Sequence, residues 1–176
     1  VDTSEVGMII AVSDVLSEDK STEYKAITML TDGKEQKFII SNQRVNQSVF
    51  GKISKNDLIQ YTLDSFDQIN SVKILQKNNA YYESSTDDYT YGEVKDVLHN
   101  KVSNTKARRV NKVSVGYSNS SDIVTTLELL VRNPAPVFIV EGNTAKLGSI
   151  NDIQIGDMAY FSIYNTDSVR AVVIKR

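Results

Sequence analysis

Set against itself with an offset of 100, the chain repeats. Phe38-Ile39-Ile40 falls on Phe138-Ile139-Val140, Ile53 on Ile153 and Asp57-Leu58 on Asp157-Met158. The match continues with Tyr61 on Phe161, Leu63 on Ile163, Asp67 on Asp167, Ile69 on Val169, Val72 on Val172 and Ile74 on Ile174. Apolar residues recur at alternate positions between aspartates, which is the pattern of β-strands and the turns between them. Upstream the offset becomes about 85, where Val6-Gly7-Met8-Ile9 resembles Tyr91-Gly92-Glu93-Val94. An insertion in the second copy, placed between Val115 and Arg132, accounts for the change.

Each copy reads as a run of short strands. In the first they are expected near 6–14, 23–31, 35–41, 57–64 and 68–75, with Asp32-Gly33 as a hairpin turn because Gly accepts positive φ. In the second they are expected near 91–99, 108–117, 122–131, 136–141, 157–164 and 168–175, with Pro134 and Pro136 punctuating the approach to one of them. No segment sustains helical spacing for long, and a single helical turn is expected near 44–50 or 149–153. Five or six short strands cannot bury both faces of a flat sheet, so each copy is expected to close on itself. The fold class is therefore all-β, as two tandem small β-barrels of OB-like or SH3-like type. Residues 1–76 form the first module, 91–176 the second, and the polar run 77–90 a linker. Leu58, Tyr61, Leu63, Ile69, Val72 and Ile74 are expected inside the first barrel.

Composition excludes several functions. The 176 residues carry a net charge of −2 and no cysteine, so disulfides, thiolate nucleophiles and Cys-based zinc sites are absent. The chain has no global positive field for nucleic acid, which makes that partner unlikely. No apolar run is long enough to cross a membrane as a helix, so no membrane insertion is expected. A start at Val1 without Met reads as a mature or excised segment. His99 is the only histidine, and Gly-x-Ser-x-Gly, Gly-x-Gly-x-x-Gly and Walker loops are all missing. Acidic pairs such as Asp87-Asp88 and Asp64 with Asp67 lack the ordered calcium loop and read as turn residues. No enzyme activity, cofactor or metal site is expected.

The segment from Phe138-Ile139-Val140-Glu141-Gly142 through Ser149-Ile150-Asn151-Asp152-Ile153-Gln154-Ile155-Gly156-Asp157 to Val172-Val173-Ile174 resembles a β-barrel module of Gram-positive secreted and cell-surface proteins. Such modules occur in chains with S-layer-homology domains. The first copy departs from the pattern at Asn56, which stands where the second has Gly156. The resemblance implies an extracellular or cell-wall location and a structural, spacer or adhesive role. It also implies other domains of the same surface protein, or cell-wall polymers, as partners.

Two clusters suggest a different class, a ligand-binding module for polysaccharide or nucleic acid. Tyr81, Tyr82, Tyr89 and Tyr91 could stack on sugar rings or anchor a partner, or could pack the linker against the barrels. Lys101, Lys106, Arg108, Arg109 and Lys112 form the one dense basic stretch, and a barrel displaying them with Tyr117 would resemble an oligonucleotide-binding module. Against this, Arg108 and Arg109 must point to opposite faces of a regular strand.

Overall fold

The computed structural model describes residues 5–16, 19–20, 23–40, 51–102, 109–118, 124–131, 135–165 and 168–176. The chain divides into two compact units, 1–80 and 81–176, and both are built from strands.

Unit 1 contains β1 (Glu5–Leu16), β2 (Glu23–Thr31), β3 (Lys34–Ile40), β4 (Leu58–Leu63) and β5 (Ile69–Gln76). They close into a barrel in the order β1-β2-β3-β5-β4, with β4 returning to β1. Every pairing is antiparallel except β3 with β5, which meet in parallel at Ile40 and Ile69. A meander of three strands whose third strand lies parallel to the fifth is the order of a five-stranded Greek-key barrel of OB type. The β2–β3 turn forms as the sequence predicts: Asp32 (φ 51°) and Gly33 (φ 74°) both take the left-handed region that a two-residue hairpin needs.

Ile9, Ile27, Met29, Ile40, Ile53, Ile59, Tyr61 and Ile69 fill the barrel, with Leu63, Val72 and Ile74 packed against them. Leu58 is fully buried but lies outside this cluster, because a register shift between Leu58 and Ile59 gives the inward place to Ile59. One polar pair is buried within the barrel. Thr31 donates its hydroxyl to the Val6 carbonyl at 3.0 Å, so the Tyr61 hydroxyl 2.7 Å away donates to Thr31. Burial raises the Tyr61 pKa.

Unit 2 contains β6 (Ser84–Ser85), β7 (Tyr89–Val102), β8 (Arg109–Ser118), β9 (Val124–Val131), β10 (Val137–Glu141), β11 (Thr144–Gly148), β12 (Met158–Asn165) and β13 (Ser168–Lys175). The sheet order is β11-β10-β13-β12-β7-β8-β9, with β6 beside β7. A parallel pairing of Leu130 and Val131 with Ser168 and Val169 returns β9 to β13. The cycle β7-β8-β9-β13-β12 thus repeats the cycle of unit 1. Its interior holds Val94, Val113, Val115, Leu129, Val131, Ile153, Phe161, Val169, Val172 and Ile174.

The repeat is visible in the hydrogen bonds. Ile9 donates to the Asp57 carbonyl at 3.0 Å and Asn56 to the Ile9 carbonyl at 2.8 Å, while Val94 donates to Asp157 and Gly156 to Val94, each at 2.8 Å. Asn56 (φ 68°) and Gly156 (φ 95°) share the left-handed turn, so the Asn for Gly exchange preserves one backbone shape. The offsets of 85 and 100 therefore hold for the first strand and for the last two.

For β3 the offset of 100 does not hold. Phe38 faces Ile27 across β2–β3 as Leu129 faces Val113 across β8–β9, so β9 and not β10 takes the place of β3. Phe138-Ile139-Val140 belongs to an added hairpin, β10–β11, whose first strand runs parallel to β13. Both β3 and β10 lie beside the last strand of their unit, so the two places demand the same apolar residues. The 149–153 turn is a 3-10 turn at Ile150–Asp152, while 44–50 lies outside the described residues. Of the run 77–90, residues 77–80 belong to unit 1. Residues 81–90 belong to unit 2, where Ser84 and Ser85 pair with Tyr91 and Thr90.

Candidate functional site

The tyrosines expected as a cluster separate into two groups. Tyr81 meets Tyr91 at 5.2 Å between ring centroids and Tyr160 edge-on at 5.8 Å, and Tyr89 stacks on Tyr160 at 5.5 Å. These contacts join three of the four to Tyr160, a residue the sequence reading did not single out. Its ring is buried and its pKa is pushed up to about 12, mainly because burial disfavours the phenolate. Lys175 lies 4.7 Å over the Tyr81 ring, and burial lowers its pKa. Tyr82 alone projects outward, with 69% of its surface exposed.

The basic stretch falls on one hairpin. Lys101 and Arg109 lie at the facing ends of β7 and β8, where Lys101 pairs with Val110 and Val102 with Arg109. Lys106 and Arg108 lie in the intervening segment, outside the described residues, as do the side chains of His99, Lys101 and Arg109. Lys112 is exposed and sits opposite Leu130 of β9. Tyr117 lies near the other end of β8 and has the parity of the inward Val113 and Val115, so the structure does not bring it together with Lys112. Between 101 and 112 there are five Lys or Arg residues and no Asp or Glu.

The outward face beside this hairpin is carried by β8 and β9. Lys112, Ser114, Gly116 and Ser118 stand opposite Leu130, Glu128, Thr126 and Val124. Leu98, opposite Lys112 on β7, and Val124 are both exposed. Lys95, paired with Glu93, reaches the place that a side chain at Gly116 would fill. In a five-stranded barrel of OB order, the first hairpin loop and the loop between the fourth and fifth strands border the outer face of the second and third strands. The basic hairpin holds the first of these places in unit 2, and the β12–β13 tip holds the other.

That tip carries an aromatic residue. Tyr164 is half-exposed and the Arg170 guanidinium lies 5.8 Å from its ring centroid. The equivalent tip of unit 1, between β4 and β5, carries Phe66, the most exposed large apolar side chain described, at 81%. Neither was distinguished in the sequence, because a lone aromatic in a polar turn has no periodicity to mark it. Asp64 and Asp67, considered there as cation ligands, build this turn. The Asp64 carboxylate accepts the Phe66 and Gln68 amides at 2.9 and 3.0 Å, and Asp67 takes φ 57°. Among the described residues, no three His, Cys, Asp or Glu side chains are grouped to hold a metal.

No protein-family model matches the chain, and no curated protein does. Two solved structures align along nearly the whole chain. One, described as the tetrameric p202 HIN2, shares 11% identity over 99% of this chain and 88% of its own, with a TM-score of 0.31. The other, described as a murine DNA-binding protein bound with double-stranded DNA, shares 13% identity over 99% and 94%, with a TM-score of 0.28. At these values the likeness carries nothing further to this chain. The partner expectation is nevertheless corrected. It set nucleic acid aside in favour of surface-protein domains and cell-wall polymers, an exclusion that the local distribution of charge between Lys101 and Lys112 does not support. The physical error lay in reading a whole-chain charge of −2, which conceals five cations gathered on one hairpin.

Proposed function

We propose that the chain is a non-enzymatic nucleic-acid-binding protein, and that the second unit makes the main contact through its β7–β8 hairpin and the outer face of β8 and β9. The placement of the acid-free basic run at the first hairpin of a barrel of OB order carries this reading. The cations neutralise phosphates, which supplies affinity without reading sequence. Leu98 and Leu130 beside Lys112, and Val124 at the far end of the same face, offer apolar area to sugar and base edges. A β-ladder holds the ends of the hairpin, so its cations act from a fixed base.

Fluorescence anisotropy with labelled oligonucleotides at several salt concentrations tests the proposal. Affinity is expected to fall steeply with salt and to fall further when Lys106, Arg108 and Arg109 become Ala. Salt-independent binding, or binding unaffected by the triple replacement, would refute it.

A further inference from the structure

We infer that the β4–β5 hairpin tip of unit 1 is a stacking site for an unpaired nucleobase, with Phe66 as the platform. This rests on the nucleic-acid reading above and extends it to a second site and to the single-stranded form of the ligand. Single exposed apolar residues are common on protein surfaces. Three features distinguish this one.

The ring is held out on a fixed turn. Besides the two amide bonds to its carboxylate, Asp64 donates its own amide to the Gln68 carbonyl at 2.8 Å and accepts the Asp67 amide at 3.1 Å on its carbonyl. A platform already held in place loses little conformational entropy when a base stacks on it.

The same hairpin also carries polar chemistry suited to a nucleotide. A depression of about 220 Å³ is lined by Gln60, Tyr61, Thr62, Ser71, Val72 and Lys73. Thr62 and Ser71 face each other across the hairpin with their hydroxyls 2.6 Å apart, and Gln60 faces Lys73 two pairs further on. Lys73 is exposed and can hold a phosphate; Gln60 and the hydroxyls can serve sugar or base edges.

The third feature is the duplication. Five residues separate Leu63 from Ile69, and five separate Ile163 from Val169. The two tips share little sequence, yet each holds one aromatic residue, and each aromatic is exposed: Phe66 in one, Tyr164 beneath Arg170 in the other. Duplex DNA keeps its base faces covered, so an aromatic ring on a narrow tip suits single strands, where every base offers a π-face.

The chain has no tryptophan, so Phe66→Trp introduces a sole reporter at the tip. The probe is labelled oligothymidylate, longer than the roughly 4–16 nucleotides that one such barrel covers. Tip emission and oligonucleotide anisotropy are followed together, and the duplex of the same sequence is titrated in parallel. Binding is expected to quench most of the tryptophan emission. Phe66→Ala is expected to weaken single-strand binding about 5- to 150-fold, equivalent to about 1–3 kcal/mol for one stacked base, with duplex binding unchanged. If anisotropy rises without quenching and Phe66→Ala binds like the parent, the stacking site is overturned while the nucleic-acid reading stands. If duplex binding depends on Phe66 equally, the restriction to unpaired bases is overturned. If neither signal changes, both readings fall.

Discussion

The Arg176 guanidinium grips the Asp157 carboxylate with two bonds, Nε to Oδ1 at 3.2 Å and Nη2 to Oδ2 at 3.1 Å. At the corresponding place in the first unit the ammonium of Lys77 holds Asp57 through one bond, to Oδ2. Both cations also reach a carbonyl in the segment before the penultimate strand of their unit, β4 or β12, Lys77 that of Lys52 and Arg176 that of Asp152. Both aspartates accept an amide three residues back, Ser54 and Gln154, at 2.9 Å. One clamp, built twice, ties the end of each unit to the start of its penultimate strand.

The two clamps are expected to differ in strength. The Asp57 side chain is fully buried and also accepts the Asn78 amide at 2.9 Å, so Asp57→Ala strands several buried donors and should cost about 3–5 kcal/mol. Asp157 and Arg176 are partly solvated, and Asp157→Ala should cost about 1–2 kcal/mol. Urea denaturation of the two variants measures both; equal losses would show that burial is not the deciding factor.

Alkaline stability should report Tyr160. Its proton is held in the folded state up to about pH 12, whereas the unfolded phenol titrates near 10. Between these values the unfolded chain binds fewer protons, so stability falls as pH rises through that window, by about 2–3 kcal/mol in all. Below pH 10 the residue gives no pH dependence. Lys175 acts in the opposite sense: its lowered pKa means that stability rises as pH climbs from the folded value towards 10.5. Burial also raises the Tyr61 and Tyr91 pKa values, so phenolate absorbance should show several of the nine tyrosines titrating late with Tyr160 last, and Tyr160→Phe should abolish that last step. A last step that persists in the variant would assign it elsewhere.

Two glycines separate two kinds of cost. A side chain at Gly92 would strike the Gly116 carbonyl across β7 and β8, so Gly92→Ala should lose about 2–4 kcal/mol and part the strands locally. Gly156 has open space around it, and only its φ of 95° opposes a side chain. Gly156→Ala should cost about 1–2 kcal/mol. Thermal unfolding of both decides the order; a larger loss at Gly156 would contradict it.

The salt dependence of nucleic-acid affinity should count the hairpin's phosphate contacts. Removing Arg108 and Arg109 should flatten the slope of log affinity against log salt by about 1.4 on a single strand, two contacts at about 0.7 each. Titrations across a salt series give this directly, and an unchanged slope would place the phosphate contacts elsewhere.

The strands were legible because alternation of apolar residues survives in sequence, and the Asp-Gly turn because its backbone leaves few choices. β11 was not, since Thr144-Ala145-Lys146-Leu147-Gly148 lacks the β-branched run that marked its neighbours. β10 was found as a strand but matched to β3, because both lie beside the last strand of their unit and need the same residues. The clamps depend on Lys77 and Arg176 meeting aspartates 20 and 19 positions away, a proximity that only folding creates. Phe66 was invisible for a related reason: its significance lies in exposure, which composition does not record.

Among the described residues, each cycle closes through its shortest pairing, one residue pair between β3 and β5 and two between β9 and β13. These are also the parallel contacts of the two cycles, while every other junction is a longer antiparallel ladder. Each ring therefore has a seam. Opening it would sacrifice few bonds and leave the meander and the last hairpin intact as a curved open sheet, so amides along the seam should exchange with solvent before those of the ladders. The outer surface of the second and third strands ends at that seam, so a bound strand reaching across would staple the ring shut, and slower seam exchange would register its arrival.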